Sequence, residues 1–81
     1  NDKYTSVFTC DGEALIRTPL KELADQLDPA RFWQIHRATI VHVAQVATTL
    51  RDLGGHVQVR LKSRPEPLRV SRAFAHPLRP T

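Results

Sequence analysis

Residues 56–62 read His-Val-Gln-Val-Arg-Leu-Lys and alternate polar with apolar side chains at every step. A period of two is the pattern of a β-strand that rests one face on a core and turns the other to solvent. Turn sequences lie on both sides of it: residues 52–55 are Asp-Leu-Gly-Gly, and residues 63–67 are Ser-Arg-Pro-Glu-Pro. The stretch therefore predicts a central strand between two tight connections, with Val57, Val59 and Leu61 facing inward.

The neighbouring segments predict the partners of this strand. They are rich in β-branched and aromatic residues and are bounded by turn signals such as Asp11-Gly12, which is typical of strands and hairpins. These segments are residues 4–9, 13–17, 32–35, 39–43, 46–50 and 68–71, of which 32–35 and 39–43 give either one strand or two. Residues 72–76 predict a short helical turn after the last strand.

One amphipathic helix interrupts the strands. Apolar residues at 20, 23, 24 and 27 follow the i, i+3, i+4, i+7 spacing, and Asp28-Pro29 ends the pattern. Thr18 followed by Pro19 is typical of an N-cap and a first helical position. We expect two to three helical turns over about residues 19–27. The fold class is therefore mainly β, with short antiparallel sheets or hairpins and one small helix.

Size and composition restrict the class of protein. The chain has 81 residues, 41% of them hydrophobic, which suffices for one small core. No apolar run reaches the roughly 18 residues that span a bilayer, and the first residues lack a signal-peptide layout. The single cysteine, Cys10, is typical of a reducing compartment. We expect a cytoplasmic protein without membrane contact.

Positive charge is concentrated in the second part of the chain. Residues 31–81 carry nine of the twelve basic residues and two of the eight acidic ones, and eight of those nine are arginines. Guanidinium groups suit phosphates and base edges better than ammonium groups do. An anionic polymer is thus the leading partner class, and an unspecialised basic surface is the plain alternative.

Three segments resemble one family in their order and spacing. Residues 32–41 read Phe-Trp-Gln-Ile-His-Arg-Ala-Thr-Ile-Val, residues 68–72 read Leu-Arg-Val-Ser-Arg, and residues 15–23 read Leu-Ile-Arg-Thr-Pro-Leu-Lys-Glu-Leu. They resemble the signature segments of the LytTR DNA-binding domain, the output module of many bacterial two-component response regulators. The chain departs from the pattern at His42, where the family usually has Asn. Residues 1–81 are accordingly interpreted as a single LytTR-like domain that lacks its first strand or two.

The resemblance implies sequence-specific binding of duplex DNA through loops of a β scaffold, and thus transcription regulation. It implies that Arg37 and Arg72 reach into the grooves. It also implies that phosphorylation of a receiver domain outside this chain promotes a dimer on promoter repeats. The sequence agrees independently, because Arg37 interrupts an apolar stretch and Arg72 directly follows a strand, so that turns can present both.

Further contacts are expected around these two arginines. Arg69, Lys62 and Arg64 suit sequence-blind phosphate contacts. Thr39 and Ser71 either bind phosphate or satisfy backbone groups at strand ends, and His36 is expected mainly to order its turn. Tyr4, with Lys3 and Thr5, lies at a junction where members of the family approach DNA.

Other functions have less support. A protein-interaction module with an exposed strand edge is the runner-up, and single-stranded RNA binding would need exposed aromatic residues, which we expect in the core instead. No carboxylate pair, nucleophile elbow or glycine-rich phosphate loop indicates an enzyme. The scattered histidines do not indicate a metal site, and neither a cofactor nor a small-molecule substrate is expected.

Overall fold

The structure is a computed structural model and describes residues 4–75. The strands are β1 (Thr5–Thr9), β2 (Gly12–Ile16), β3 (Phe32–His36), β4 (Thr39–His42), β5 (Val46–Arg51), β6 (Val57–Leu61) and β7 (Leu68–Val70). Helix α1 spans Leu20–Leu23, and 3-10 turns span Ala24–Gln26, Val43–Gln45 and Arg72–Phe74. The mainly β class is confirmed. Lys3 and His76 lie outside the described residues. No described helix is long and apolar enough to cross a bilayer.

The first sheet has the order β2-β1-β4-β3. The predicted hairpin of β1 and β2 is confirmed, and Gly12 takes a φ of 109° at its turn, a value that glycine reaches without strain. β3 and β4 form a second antiparallel hairpin. β1 and β4, however, pair in parallel, a contact that the expectation of short antiparallel sheets or hairpins did not specify. The parallel pair arises because two separate hairpins meet side by side, and short-range turn signals say nothing about that contact.

The second sheet has the antiparallel order β5-β6-β7, with the strand predicted from residues 56–62 at its centre. The alternation is confirmed, because Val57, Val59 and Leu61 retain only 3%, 0% and 2% of their exposure. The central position explains why this pattern is so regular. Each strand edge of β6 is paired, and one whole face rests on the core.

The main core lies between the two sheets. Phe8, Trp33, Ile35 and Val41 of the first sheet pack against Val57, Val59, Leu61 and Val70 of the second. The expectation that the aromatic residues belong to the core is confirmed for Trp33 and Phe8, whereas Phe32 and Phe74 are half-buried. Burial of each such side chain contributes about 1.5–3 kcal/mol to the free energy of folding. This core holds the two sheets, and the loops at their ends, in one fixed relation.

The helix is shorter than the sequence pattern predicts. One α-helical turn is followed by a 3-10 turn, and only Leu20 of the four apolar residues is buried. Because short helices depend on packing for their stability, so little burial does not support two to three α-helical turns. The N-cap expectation is also wrong: Pro19 holds that position without a side-chain cap. Thr18 instead accepts a hydrogen bond from Thr5 Oγ1 through its carbonyl oxygen, at 2.7 Å.

Candidate nucleic-acid interface

The turn between β3 and β4 presents Arg37 to solvent. Ala38 donates its backbone N–H to His36 Nδ1 at 3.3 Å, and Gln34 Nε2 donates to the His36 carbonyl at 3.2 Å. These bonds confirm the expected role of His36 in ordering the turn. Since Nδ1 accepts, the neutral ring carries its proton on Nε2, which leaves an N–H donor for a ligand. Arg37 thus projects from a turn whose backbone is fixed from both sides.

A bulge in β3 joins this turn to the second sheet. The β3–β4 register shifts between Gln34 and His36, so that Ile35 has no partner on β4. Bulges of this kind free backbone groups and redirect side chains. Here the Ile35 carbonyl accepts the backbone N–H of Ser71 at 2.7 Å. The end of β7 is therefore attached directly beside the Arg37 turn.

Arg72 follows immediately after this attachment. It begins the 3-10 turn Arg72–Phe74, in which the Phe74 backbone N–H donates to the Ser71 carbonyl at 2.8 Å. The short turn agrees with the helical turn predicted after β7. Arg37 and Arg72, which are 35 positions apart in the sequence, are thereby placed at the same end of the molecule, and both are exposed.

The start of β1 lies at this end as well. The parallel pairing sets Ser6 opposite Thr39, and the Ser6 backbone N–H donates to the Ala38 carbonyl at 2.8 Å. Half-buried Tyr4 precedes the strand. Thr5 differs from the expectation of a DNA contact, because its side chain is fully buried and its hydroxyl binds Thr18. Ser6 was not among the predicted site residues, although strand alternation beside a buried Thr5 would have indicated it.

Two concave notches adjoin these elements. The first has a volume of about 280 Å³, and we call it the inter-sheet notch. It is lined by Ser6, Phe8, Glu13, Ile35, His36, Thr39, Leu68 and Arg69. The second, about 240 Å³ in volume, lies along β7 and is lined by residues that include His56, Arg69 and Arg72. Arg69 borders both notches, so that a continuous strip of polar and basic side chains runs from β1 to the β5–β6 loop.

His56 was also missed by sequence reasoning, because it is distant in sequence from every basic residue of the strip. Asp52 Oδ1 accepts the backbone N–H groups of Gly54 and His56, each at 2.9 Å. Asp52 Oδ2 lies 3.2 Å from His56 Nδ1. The backbone N–H of His56 is the main reason that the pKa of Asp52 lies below its ordinary 3.8, and the His56 ring and the Gly54 N–H act in the same direction. These bonds hold the loop in shape.

The remaining predicted contacts differ in position. The Arg64 guanidinium lies 5.4 Å from the centroid of the Phe8 ring, beside the inter-sheet notch. Lys62 is exposed and follows the last residue of β6, whereas Val57 is the first residue of that strand. The two residues are on the order of 16 Å apart along the strand. Because Val57 pairs with Val70, next to Ser71 and Arg72, Lys62 lies away from the two arginines. The structure thus places Arg69 and Arg72 along one notch and Arg64 beside the other, whereas Lys62 lies apart from both notches.

The arrangement offers donors rather than catalytic groups. Within residues 4–75, no three His, Cys, Asp or Glu side chains come together as a metal site. The strip combines guanidinium, hydroxyl and imidazole groups, which are the donors that proteins use for phosphates and base edges. The carboxylates of Glu13 and Asp52 are the acidic groups beside it. The surface is suited to an anionic ligand of extended shape.

Comparison with known proteins agrees with this chemistry. The chain belongs to the LytTr DNA-binding domain family, whose model matches residues 1–81. It is 44% identical over 79 residues to an uncharacterized response regulatory protein of Vibrio cholerae serotype O1. That alignment covers 93% of this chain and 30% of the relative, so the chain spans less than a third of the curated protein it matches. No solved structure matches the chain significantly. The basic strip is thus part of a DNA-binding domain, and DNA is the partner of that domain.

Proposed function

We propose that the chain is the sequence-specific, duplex-DNA-binding effector domain of a two-component response regulator, and that Arg37 and Arg72 contact the bases. The observation that carries the proposal is the 2.7 Å hydrogen bond from Ser71 to Ile35, which attaches the segment before Arg72 to the strand before Arg37. The family match and the response regulatory relative support it.

The mechanism depends on two kinds of contact. A guanidinium that donates to both O6 and N7 of guanine discriminates against other bases by about 1–3 kcal/mol. Phosphate contacts from Arg69, Thr39 and Ser71 then fix the register in which Arg37 and Arg72 meet the groove. Fixed positions matter because a guanidinium on a mobile loop would lose conformational entropy upon binding. The chain would regulate transcription by occupying DNA, with no chemistry of its own.

The rest of the proposal concerns the longer protein. Phosphorylation of a receiver domain would bring two copies of this domain onto adjacent promoter repeats. The second binding event then becomes intramolecular, and its effective concentration raises affinity without new base contacts. Promoter binding places such a regulator in the bacterial cytoplasm.

The test is fluorescence anisotropy with a pool of promoter fragments, from which a cognate duplex is selected, and with a scrambled duplex across a salt series. We expect a cognate preference of about 10³ or more that persists at moderate salt. Arg37→Ala and Arg72→Ala should each lower cognate affinity by roughly 10- to 100-fold, and should flatten the preference at one or two base pairs.

Arg31→Ala is the matched control. Its exposed side chain precedes β3 at the end opposite the Arg37 turn, where it lies 4.0 Å from Asp28. We expect this control to keep the wild-type preference. Equal losses on cognate and scrambled DNA for Arg72→Ala would remove its base-reading role. Salt-sensitive binding that ignores sequence in the wild type would contradict the proposed function and favour an interaction module with an exposed strand edge.

A further inference from the structure

The inter-sheet notch combines several donors around one small concavity, at the place where the first sheet meets β7. We propose that this notch binds one phosphate group of the DNA backbone, held by the hydroxyls of Ser6 and Thr39 and by the guanidinium of Arg69. This inference rests on the proposed function and adds to it a defined phosphate site, with Ser6 as a contact residue.

The hydroxyl pair is a product of the parallel strands. Ser6 and Thr39 are register partners on β1 and β4, and both line the notch. Neighbouring strands of a sheet lie about 4.7–4.9 Å apart, so the two side chains are close enough for both hydroxyls to contact one phosphate. His36 also lines the notch, and its neutral ring carries a proton on Nε2 because Nδ1 accepts from Ala38.

The charges around the notch favour an anion. Arg69 lines it directly, and Arg64 is held against Phe8, one of its lining residues. Glu13 is the single carboxylate among the lining residues, so that the two nearby guanidinium groups outnumber it. Ile35 and Leu68 contribute apolar surface, which lowers the local dielectric and strengthens charge-assisted hydrogen bonds.

The hydroxyls of the pair are free of structural hydrogen bonds to other described residues, in contrast to the hydroxyl of Thr5. The bond that fixes Ser6 in the sheet comes from its backbone N–H, which donates to Ala38. Replacing the side chain therefore leaves the fold intact. The same holds for Thr39, where valine keeps the β-branched shape that suits a strand.

The test uses the cognate duplex selected above and a set of copies in which one phosphate at a time is replaced by an uncharged methylphosphonate. Wild-type protein should lose about fivefold to tenfold in affinity when the phosphate bound by the notch is replaced. The double variant Ser6→Ala/Thr39→Val should bind unmodified DNA more weakly by a similar factor. It should also be insensitive to replacement of that same phosphate.

The control is Ser63→Ala/Thr48→Val, which removes two exposed hydroxyls from the second-sheet side of the molecule. It should lose affinity at the same methylphosphonate positions as the wild type. Thermal unfolding should show that both double variants remain folded. If Ser6→Ala/Thr39→Val keeps the full wild-type map while cognate preference persists, the notch proposal is wrong and the proposed function stands. If wild-type protein shows no cognate preference, the proposed function itself fails.

Discussion

The two ends of the β6–β7 pair carry similar positive charge but are built differently. At the Val57 end, Val70 leads into Ser71, which binds Ile35 of the other sheet, and Arg72 follows. At the opposite end, the Lys62 backbone N–H donates to Gln45 at 2.8 Å, within the part of the chain that leads into the second sheet. The contrast teaches that charge alone does not define a base-reading residue. Under the proposed function, Arg72 reads bases because the backbone before it is attached to the strand that leads to Arg37.

The largest effect should come from breaking the attachment itself. Ser71→Pro removes the backbone N–H together with the hydroxyl and leaves the backbone conformation unstrained, because Ser71 already has a φ of −61° that proline adopts. The Ile35 carbonyl then lacks its donor, which should lower the free energy of unfolding by about 1–3 kcal/mol. We also expect cognate preference to fall by at least tenfold, since Arg72 is no longer held beside Arg37.

Ser71→Ala is the control for this substitution because it keeps the N–H. Urea unfolding and anisotropy measured on both variants separate the contribution of the backbone N–H of Ser71 from that of its hydroxyl. A proline variant that keeps the wild-type preference would show that the attachment does not position Arg72. If Ser71→Ala alone lowers affinity on all duplexes, the Ser71 hydroxyl contacts phosphate, which is one of the two roles expected from the sequence.

The next effect sharpens the difference between Thr5 and its neighbour Ser6. Thr5→Val removes the hydrogen bond to the Thr18 carbonyl and keeps the side-chain volume. Its free energy of unfolding should fall by about 1 kcal/mol. Cognate affinity should stay unchanged below the melting transition, because the fully buried Thr5 side chain does not reach DNA. A loss of affinity in folded Thr5→Val protein would restore Thr5 as a contact.

Lys62→Ala should have a smaller and uniform effect. Its position away from Arg37 and Arg72 permits at most a sequence-blind phosphate contact. We expect equal weakening on cognate and scrambled duplexes, and the slope of log affinity against log salt should fall by about one. A selective loss on cognate DNA would mean that the second end of the β6–β7 pair also takes part in recognition.

The smallest effect concerns acid stability of the β5–β6 loop. Because the pKa of Asp52 is lower in the folded chain than its ordinary 3.8, its charge stabilises the fold above that value. This stabilisation is lost as the pH falls through the lowered pKa. Asp52→Asn still offers an oxygen to the Gly54 and His56 N–H groups. Its melting temperature should therefore fall less between pH 5 and pH 2 than the melting temperature of the wild type. An equal fall in the two proteins would contradict this.

Much of the fold could be predicted from local patterns. Residues 56–62 gave the central strand and its buried face, and Asp11-Gly12 gave the first hairpin. Arg37 and Arg72 could be assigned to turns because each interrupts or follows an apolar segment. The helix could not be delimited in this way, since its length depends on how much of its apolar face packs against other elements, and only Leu20 is buried.

Single residues of the strip of polar and basic side chains were predicted from the sequence, but their arrangement on one surface was not. His36, Thr39 and Arg69 were expected as separate contacts, whereas the notch that collects them needs Ser6 as a partner of Thr39. His56 is added to this surface by the loop between β5 and β6 of the second sheet. Ser6 and Thr39 are 33 positions apart, and His56 is 13 positions from Arg69, so that no periodicity or turn signal connects them.

The sequence by itself determined the strands, their turns, their inward-facing residues and which arginines are available for contacts with DNA. Alternation and turn chemistry act over a few residues, so that these features are local. It also carried the segments by which the family is identified. The tertiary structure alone decided the parallel contact of β1 with β4 and the hydrogen bond from Ser71 to Ile35. Both depend on how two sheets pack around one shared core, where the burial of many side chains together sets which distant backbone groups meet.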